Sequence, residues 1–270
     1  MEATFDLIRE NVTSWLGLGA VLFLPAAMGL AILMTLFKNT LFYEDGLEIF
    51  SLFTVVKYYF PFGHLLLFLG FWGAFLLQCT LLKASQEGRL PGKRMQLDEA
   101  WGYMRPLVVK TLVSALIFSL FIFLMLQQPL FFLLFVALGV PMMLLAPIWI
   151  VEDLSFADAL SKSFRLGYSS WLQLMAILSL MTLLGFLMSF SVFMFWSLAS
   201  MLMETVIVEG NTNYSFIAHV MVFVSSLLLM YAFFLIASMV LLSCVFDYGN
   251  VSELQDDTSI ESDIENFENL

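Results

Sequence analysis

Six stretches of this chain are each apolar over twenty residues or more, and that sets what it can fold into. They are residues 15–37, 60–82, 107–126, 129–151, 171–203 and 216–245. A helix rises about 1.5 Å per residue and crosses the roughly 30 Å hydrocarbon core of a bilayer with about 20 apolar residues. Every stretch meets that length. Only Gln127 and Gln128 separate the third from the fourth. Together the two are too long for one crossing, and Pro129 suits the first turn of a new helix, so a tight hairpin is expected there. The last two stretches exceed the bilayer thickness, which predicts tilt or projection beyond it. The fold class expected is an all-α integral membrane protein of six transmembrane helices, occupying residues 1–250.

Composition agrees. Charged residues make up 12% of the chain and hydrophobic ones 61%. An ordinary soluble domain carries about a quarter charged residues, so lipid is the natural surroundings for this surface. The net charge of −11 is unevenly placed. Glu253, Asp256, Asp257, Glu261, Asp263, Glu265 and Glu268 lie in a segment without Lys or Arg. Residues 251–270 therefore read as an acidic tail, disordered in isolation. No basic footprint for nucleic acid is present. Ile260, Ile264 and Phe267 recur at helical spacing, so a partner with a basic groove could order the tail.

Lys and Arg set the orientation expected. With the N-terminus in the cytoplasm, Arg9, Lys83, Arg89, Lys93, Arg94, Arg105, Lys110, Lys162 and Arg165 fall inside, and only Lys38 and Lys57 fall outside. Both termini are then cytoplasmic. The N-terminus lacks a basic n-region and a small-residue cleavage site, so the first apolar stretch is expected to act as an uncleaved anchor.

Three short amphipathic helices are predicted on the cytoplasmic face, parallel to the membrane. Their apolar sides are Phe5, Ile8, Val12, Trp15; then Leu97, Ala100, Trp101, Met104; then Phe156, Ala159, Leu160, Phe164. Ser155 followed by Asp158 is an N-terminal capping signal, and Gly167 is expected to end the third helix. An amphipathic helix followed by a membrane hairpin, three times over, is the architecture this predicts. Pro25 and Pro141 lie near the middle of the first and fourth stretches and are candidate kinks. In a 3+3 inverted repeat they would correspond, as the broken helices of transporters do.

Residues that could carry chemistry are few. His64 and His219 stand near the outer ends of their stretches without carboxylates in a metal-ligand spacing. Cys79 and Cys244 sit in apolar runs, as buried small hydrophobes do. No G-x-S-x-G, P-loop, dinucleotide fingerprint or H-E-x-x-H occurs. No catalytic residue, cofactor or metal is expected. Gln78 is one of few strongly polar side chains well inside a stretch. Ala27 with Ala31, Gly70 with Ala74, and Gly185 with Ser189 permit close helix approach.

The segment V-E-D-L-S-F-A-D-A-L-S-K-S-F-R-L, residues 151–166, follows a proline-bearing stretch and precedes a Trp-led one. Here the chain resembles the multi-pass membrane domain of bacterial glycerophosphodiester phosphodiesterases and related uncharacterised six-helix membrane families. Glu152, Ser155, Ala159, Leu160 and Ser163 are the matching positions, and the hairpin layout agrees from Phe5 to about Tyr248. Catalysis in those enzymes belongs to a separate barrel domain of about 250 residues, which this sequence lacks. The resemblance implies a membrane module without the catalytic activity. The missing catalytic motifs, the nearly charge-free core and the charged cytoplasmic face lead to the expectation of a scaffold or accessory subunit, in a bacterial inner membrane, that contacts the bilayer and, through the tail, a cytoplasmic protein. The alternative expectation is a transporter or lipid-handling protein with a site near the kinked first and fourth helices.

Overall fold

A computed structural model describes residues 12–43, 49–86, 97–127, 135–208 and 212–268; side chains are described for 12–36, 61–84, 98–121, 123, 124, 137–187, 189–206 and 216–244. Among the described residues the chain is helical apart from short turns, and no strand occurs. In order the helices are α1 (Val12–Tyr43), α2 (Ile49–Gln86), α3 (Leu97–Gln127), a π-helical turn (Phe135–Gly139), α4 (Val140–Met142), α5 (Leu145–Val151), α6 (Phe156–Ser169), α7 (Trp171–Val208) and α8 (Thr212–Glu268).

Five helical segments are long and apolar enough to cross a membrane: Val12–Leu36, Pro61–Ala84, Asp98–Phe121, Ser189–Val206 and Phe216–Cys244. A sixth counts if α6 and the start of α7, bent by 83°, form one broken span. The expected fourth span is not a single helix. Among the described residues it is a π-helical turn followed by two short helices, Val140–Met142 and Leu145–Val151. Two prolines explain the interruption. Pro141 and Pro147 lack the N–H that would bond back to Ala137 and Met143, and the helix yields at Met143–Leu144 between them. After the interruption, Asp153 lies beside Lys110 of α3.

Two other expectations change. The second amphipathic segment is not a separate surface helix. It is the first turns of α3, which runs unbroken from Asp98 and Glu99 through Pro106 into the apolar stretch. The first amphipathic segment lies mostly in residues 1–11, outside the described residues; Val12 and Trp15 belong to α1. Among the described residues the third, α6, is the one that stands as a separate helix before a hairpin. The backbone of α8 continues as helix to Glu268, through the acidic segment. The side chains of that segment lie outside the described residues.

α2 is the centre of the bundle and packs on α1, α3 and α8. Phe75, Leu77, Ala74 and Cys79 are fully buried in it. In lipid, apolar helices gain little by hiding from their surroundings, so close packing and interhelical hydrogen bonds hold them. Glycines permit the packing. A side chain at Gly70 would overlap the ring of Phe234, and one at Gly185 would overlap Ile236. Phe234 in turn meets Phe23 on α1 at 5.9 Å, Phe71 on α2 at 6.3 Å and Phe233 at 5.5 Å between ring centres. Phe71 reaches Phe118 on α3 at 5.5 Å. Hydrogen bonds clip the same pairs. Trp15 Nε1 donates to Ser238 Oγ at 3.2 Å, Trp72 Nε1 to Thr111 Oγ1 at 3.3 Å, and Gln78 Nε2 to the Leu241 carbonyl at 3.0 Å. Such bonds contribute about 0.6 kcal/mol each in a membrane.

Gly70→Ala is expected to cost about 1–3 kcal/mol, because Phe234 is fully buried and has no room to retreat. Gly17, where an added methyl meets nothing within 4 Å, is the control. Gly17→Ala should be neutral or stabilising by up to about 1 kcal/mol. Thermal unfolding of the two purified variants in one detergent checks both.

Candidate functional site

Among residues with described side chains, charge gathers at one end of the bundle. Lys83, Asp98, Glu99, Arg105, Lys110, Glu152, Asp153, Asp158, Lys162 and Arg165 are there, and Glu204 stands near the other end. The segment singled out by the sequence motif lies in the middle of this charged end. It forms the α5–α6 turn and most of α6.

The turn is shaped by local chemistry. α5 ends at Val151, where the Glu152 amide still bonds to the Ile148 carbonyl at 3.1 Å. Asp153 then takes a positive φ of 47°. Asp tolerates this left-handed region better than most residues because its short polar side chain bonds locally. Ser155 caps α6 reciprocally: its Oγ accepts from the Asp158 amide at 3.3 Å and donates to Asp158 Oδ2 at 2.6 Å. This is the cap expected from the sequence. Gly167 does not end the helix, which runs to Ser169 with Ser170 as its C-cap.

Gly167 has a different task. A Cβ there would lie 2.6 Å from Cα of Pro141. The missing side chain lets α6 lie directly on the interrupted pass. Ala159 and Ser163, both fully buried, and Leu166, 1% exposed, complete the contact. The side of α6 that faces Pro141 is thus buried in protein, whereas on the apolar side expected from the sequence only Ala159 is buried, Phe156 is exposed, and Leu160 and Phe164 are partly exposed.

Two ion pairs fasten the arrangement. Lys162 Nζ meets Glu152 Oε2 at 2.7 Å, with both side chains about a quarter exposed. Lys110, on α3, donates to the Trp149 carbonyl at 3.0 Å and to Asp153 Oδ1 at 2.7 Å. Its amine also stands 5.9 Å from the Trp149 ring centre, within cation–π range. Trp149 packs edge-on to Phe156 at 5.1 Å. The hydrogen bond from Lys110, then its charge, with a smaller contribution from Lys83, holds the Asp153 carboxyl below its ordinary pKa. A depressed folded pKa means the pair's contribution is complete above the ordinary carboxylate range and fades only as pH falls through the folded value. The clasp is therefore insensitive to pH between about 5 and 8.

The five motif residues come together here. Glu152 makes the ion pair, Ser155 the cap, Ala159 and Ser163 the buried face. Leu160 packs at the edge of the core, and its carbonyl accepts from Ser163 Oγ at 2.8 Å. Pro25 and Pro141 are not brought together. Pro25 faces outward on α1, whereas Pro141 is buried under Gly167. His64, edge-on to Phe123 at 4.9 Å, lines an open apolar hollow of about 300 Å³ with Leu116 and Ser119. Among the described residues no group of three or more His, Cys, Asp or Glu is placed to hold a metal. Lys110 and Asp153 are members of the site outside the five matching positions. The available signal was a lysine three residues inside an apolar stretch, which demands a partner.

Comparison with family models, with curated proteins and with solved structures finds no match to this chain.

Gly167→Ala is expected to lift α6 from Pro141. A cysteine in place of buried Ser163 should then react with a maleimide at least several fold faster than in the otherwise unaltered chain. Lys162→Met should raise the same rate by less, since a partly exposed ion pair contributes about 1 kcal/mol. Equal rates in all three backgrounds would mean α6 is not docked.

Proposed function

We propose that this chain is a non-catalytic, multi-pass membrane protein that serves as a scaffold or accessory module. In this reading both termini are cytoplasmic, the charged end faces the cytoplasm, and the membrane is a bacterial inner membrane. The resemblance around Glu152, Ser155, Ala159, Leu160 and Ser163 to the membrane domain of glycerophosphodiester phosphodiesterases supports it. So does the distribution of Lys and Arg. The observation that carries the scaffold reading is the packing of the interrupted pass. Val140, Pro141, Met143, Leu144, Leu145, Ala146 and Ile148 are all buried, and α6 covers Pro141 through Gly167. A break that is filled with side chains and strapped by ion pairs is built for rigidity.

One observation favours a second reading, a transporter or lipid-handling protein. Proline-interrupted helices frame substrate sites in many transporters, and the π-turn and α4–α5 form such a helix. In that reading α6 is the element that moves.

Topology is tested with single cysteines in a chain whose Cys79 and Cys244 are alanine. Gln86→Cys and Ser252→Cys should react only from the cytoplasm, and Asn211→Cys with an impermeant reagent added outside. Labelling of 211 and 252 from the same side breaks the six-pass arrangement. The scaffold reading is tested by mild-detergent capture of the full chain and of a chain ending at Val251. Loss of a specific protein from the shortened chain, with its helicity and melting unchanged, supports a partner held by the acidic tail. An unchanged partner set overturns that role. Solute or lipid transfer in proteoliposomes, abolished by a cross-link between α6 and α5, would favour the second reading.

A further inference from the structure

We propose that the groove between α1 and the start of α3 binds a phospholipid whose headgroup ends in an ammonium. The groove has a volume of about 180 Å³ and is lined by Leu18, Val21, Leu22, Asp98, Trp101 and Met104. Its floor is closed, because Leu18 and Met104 are 4% and 3% exposed. Its rim is open, because Val21 and Trp101 are 54% and 60% exposed. The walls are thus apolar, and entry is from the side that a bilayer would occupy. Asp98 is three residues before Trp101 on one helix, so carboxylate and indole stand on the same face a turn apart.

Charge selects the headgroup. Asp98 is the one charged side chain among the described residues lining the groove, and its whole negative charge outweighs the roughly half positive charge of the α3 N-terminus beside it. A phosphate-only or glycerol headgroup is repelled there. An ammonium is attracted, and the exposed face of Trp101 offers it a cation–π contact. Trp101 lies at the charged end, where an aromatic side chain belongs at a membrane–water boundary. The volume corresponds to about six water molecules. It accommodates the glycerol end and the first stretch of one acyl chain, with the rest left in the bilayer. The inference rests on the membrane reading and is independent of the scaffold role.

The test uses the full chain in detergent with equal amounts of phosphatidylethanolamine and phosphatidylglycerol of identical chains, read by native mass spectrometry. The ethanolamine lipid should be retained several fold more than the glycerol lipid. Asp98→Asn should bring the two to parity, Asp98→Glu should keep the preference, and Trp101→Ala should weaken it. Circular dichroism confirms that each variant keeps its helices. Equal retention by the unaltered chain overturns the proposal, as does a preference that survives Asp98→Asn. Either outcome leaves the membrane reading standing if the chain still requires detergent for extraction.

Discussion

The bundle depends on one aromatic ring seated where a side chain is missing. Phe234 occupies the space beside Gly70, and this lets α8 approach α2 closely enough for Gln78 to reach the Leu241 carbonyl two turns further on. The same ring touches Phe23 of α1 and, through Phe71, is linked to Phe118 of α3. Four helices are thereby referred to one point. In an apolar solvent this matters more than buried area does, because lipid competes equally well for a leucine and only shape distinguishes protein from lipid. An aromatic ring fitted into a glycine notch is a shape that lipid does not reproduce.

The charged end follows a different logic. There two lysines pair with carboxylates in the protein, and the strength of the pairs comes from combination. A single half-exposed ion pair contributes little. Lys110 holds the Trp149 carbonyl, the Asp153 carboxylate and the Trp149 ring together, and Lys162 ties Glu152 back to α6. These contacts all act on the few residues between α5 and α6. They fix the turn whose positive φ at Asp153 redirects the chain, and the turn in turn sets Gly167 over Pro141. The glycine notch therefore recurs here, this time against a proline.

The sequence made the long helices legible because a run of twenty apolar residues has one stable answer in lipid. Ser155 and Asp158 were legible for the same kind of reason, since a cap is a local matter. What could not be read was anything decided by tertiary packing. Gly167 looks like a helix end because glycine commonly is one, yet its role is set by a proline 26 residues earlier. The amphipathic pattern of α6 has the period of a surface helix. Whether lipid or protein covers that face is not written in the period. The segment around Trp101 has a similar pattern, but nothing between it and the next apolar stretch stops a helix, and Pro106 costs one hydrogen bond without ending α3. The site residues Glu152 and Ser163 were found through a resemblance, whereas Lys110 and Asp153 needed the coordinates to be paired.

The α7–α8 hairpin shows how length divides the molecule. α7 has 38 residues and spans about 57 Å, nearly twice the ~30 Å hydrocarbon core, and it is apolar almost throughout. Tilt alone does not absorb such a difference. Near Trp171 it is held by the main bundle, where Leu174 is buried in the shared core. Toward Val208 it is held by a separate small cluster, Ala199, Met203 and Val206 against Ala218 and Val222 of α8. Trp196, bonded to Ser226 at 2.9 Å, stands near the junction. Beyond it the hairpin relies on its own two helices, while Leu198, Met201 and Phe216 remain at least 60% exposed. A two-helix projection with its own core moves with less energetic cost than the main bundle, because fewer contacts are lost when it does. The packing therefore makes a rigid body of the charged end and the centre, and leaves the far end of α7–α8 as the part free to shift against it.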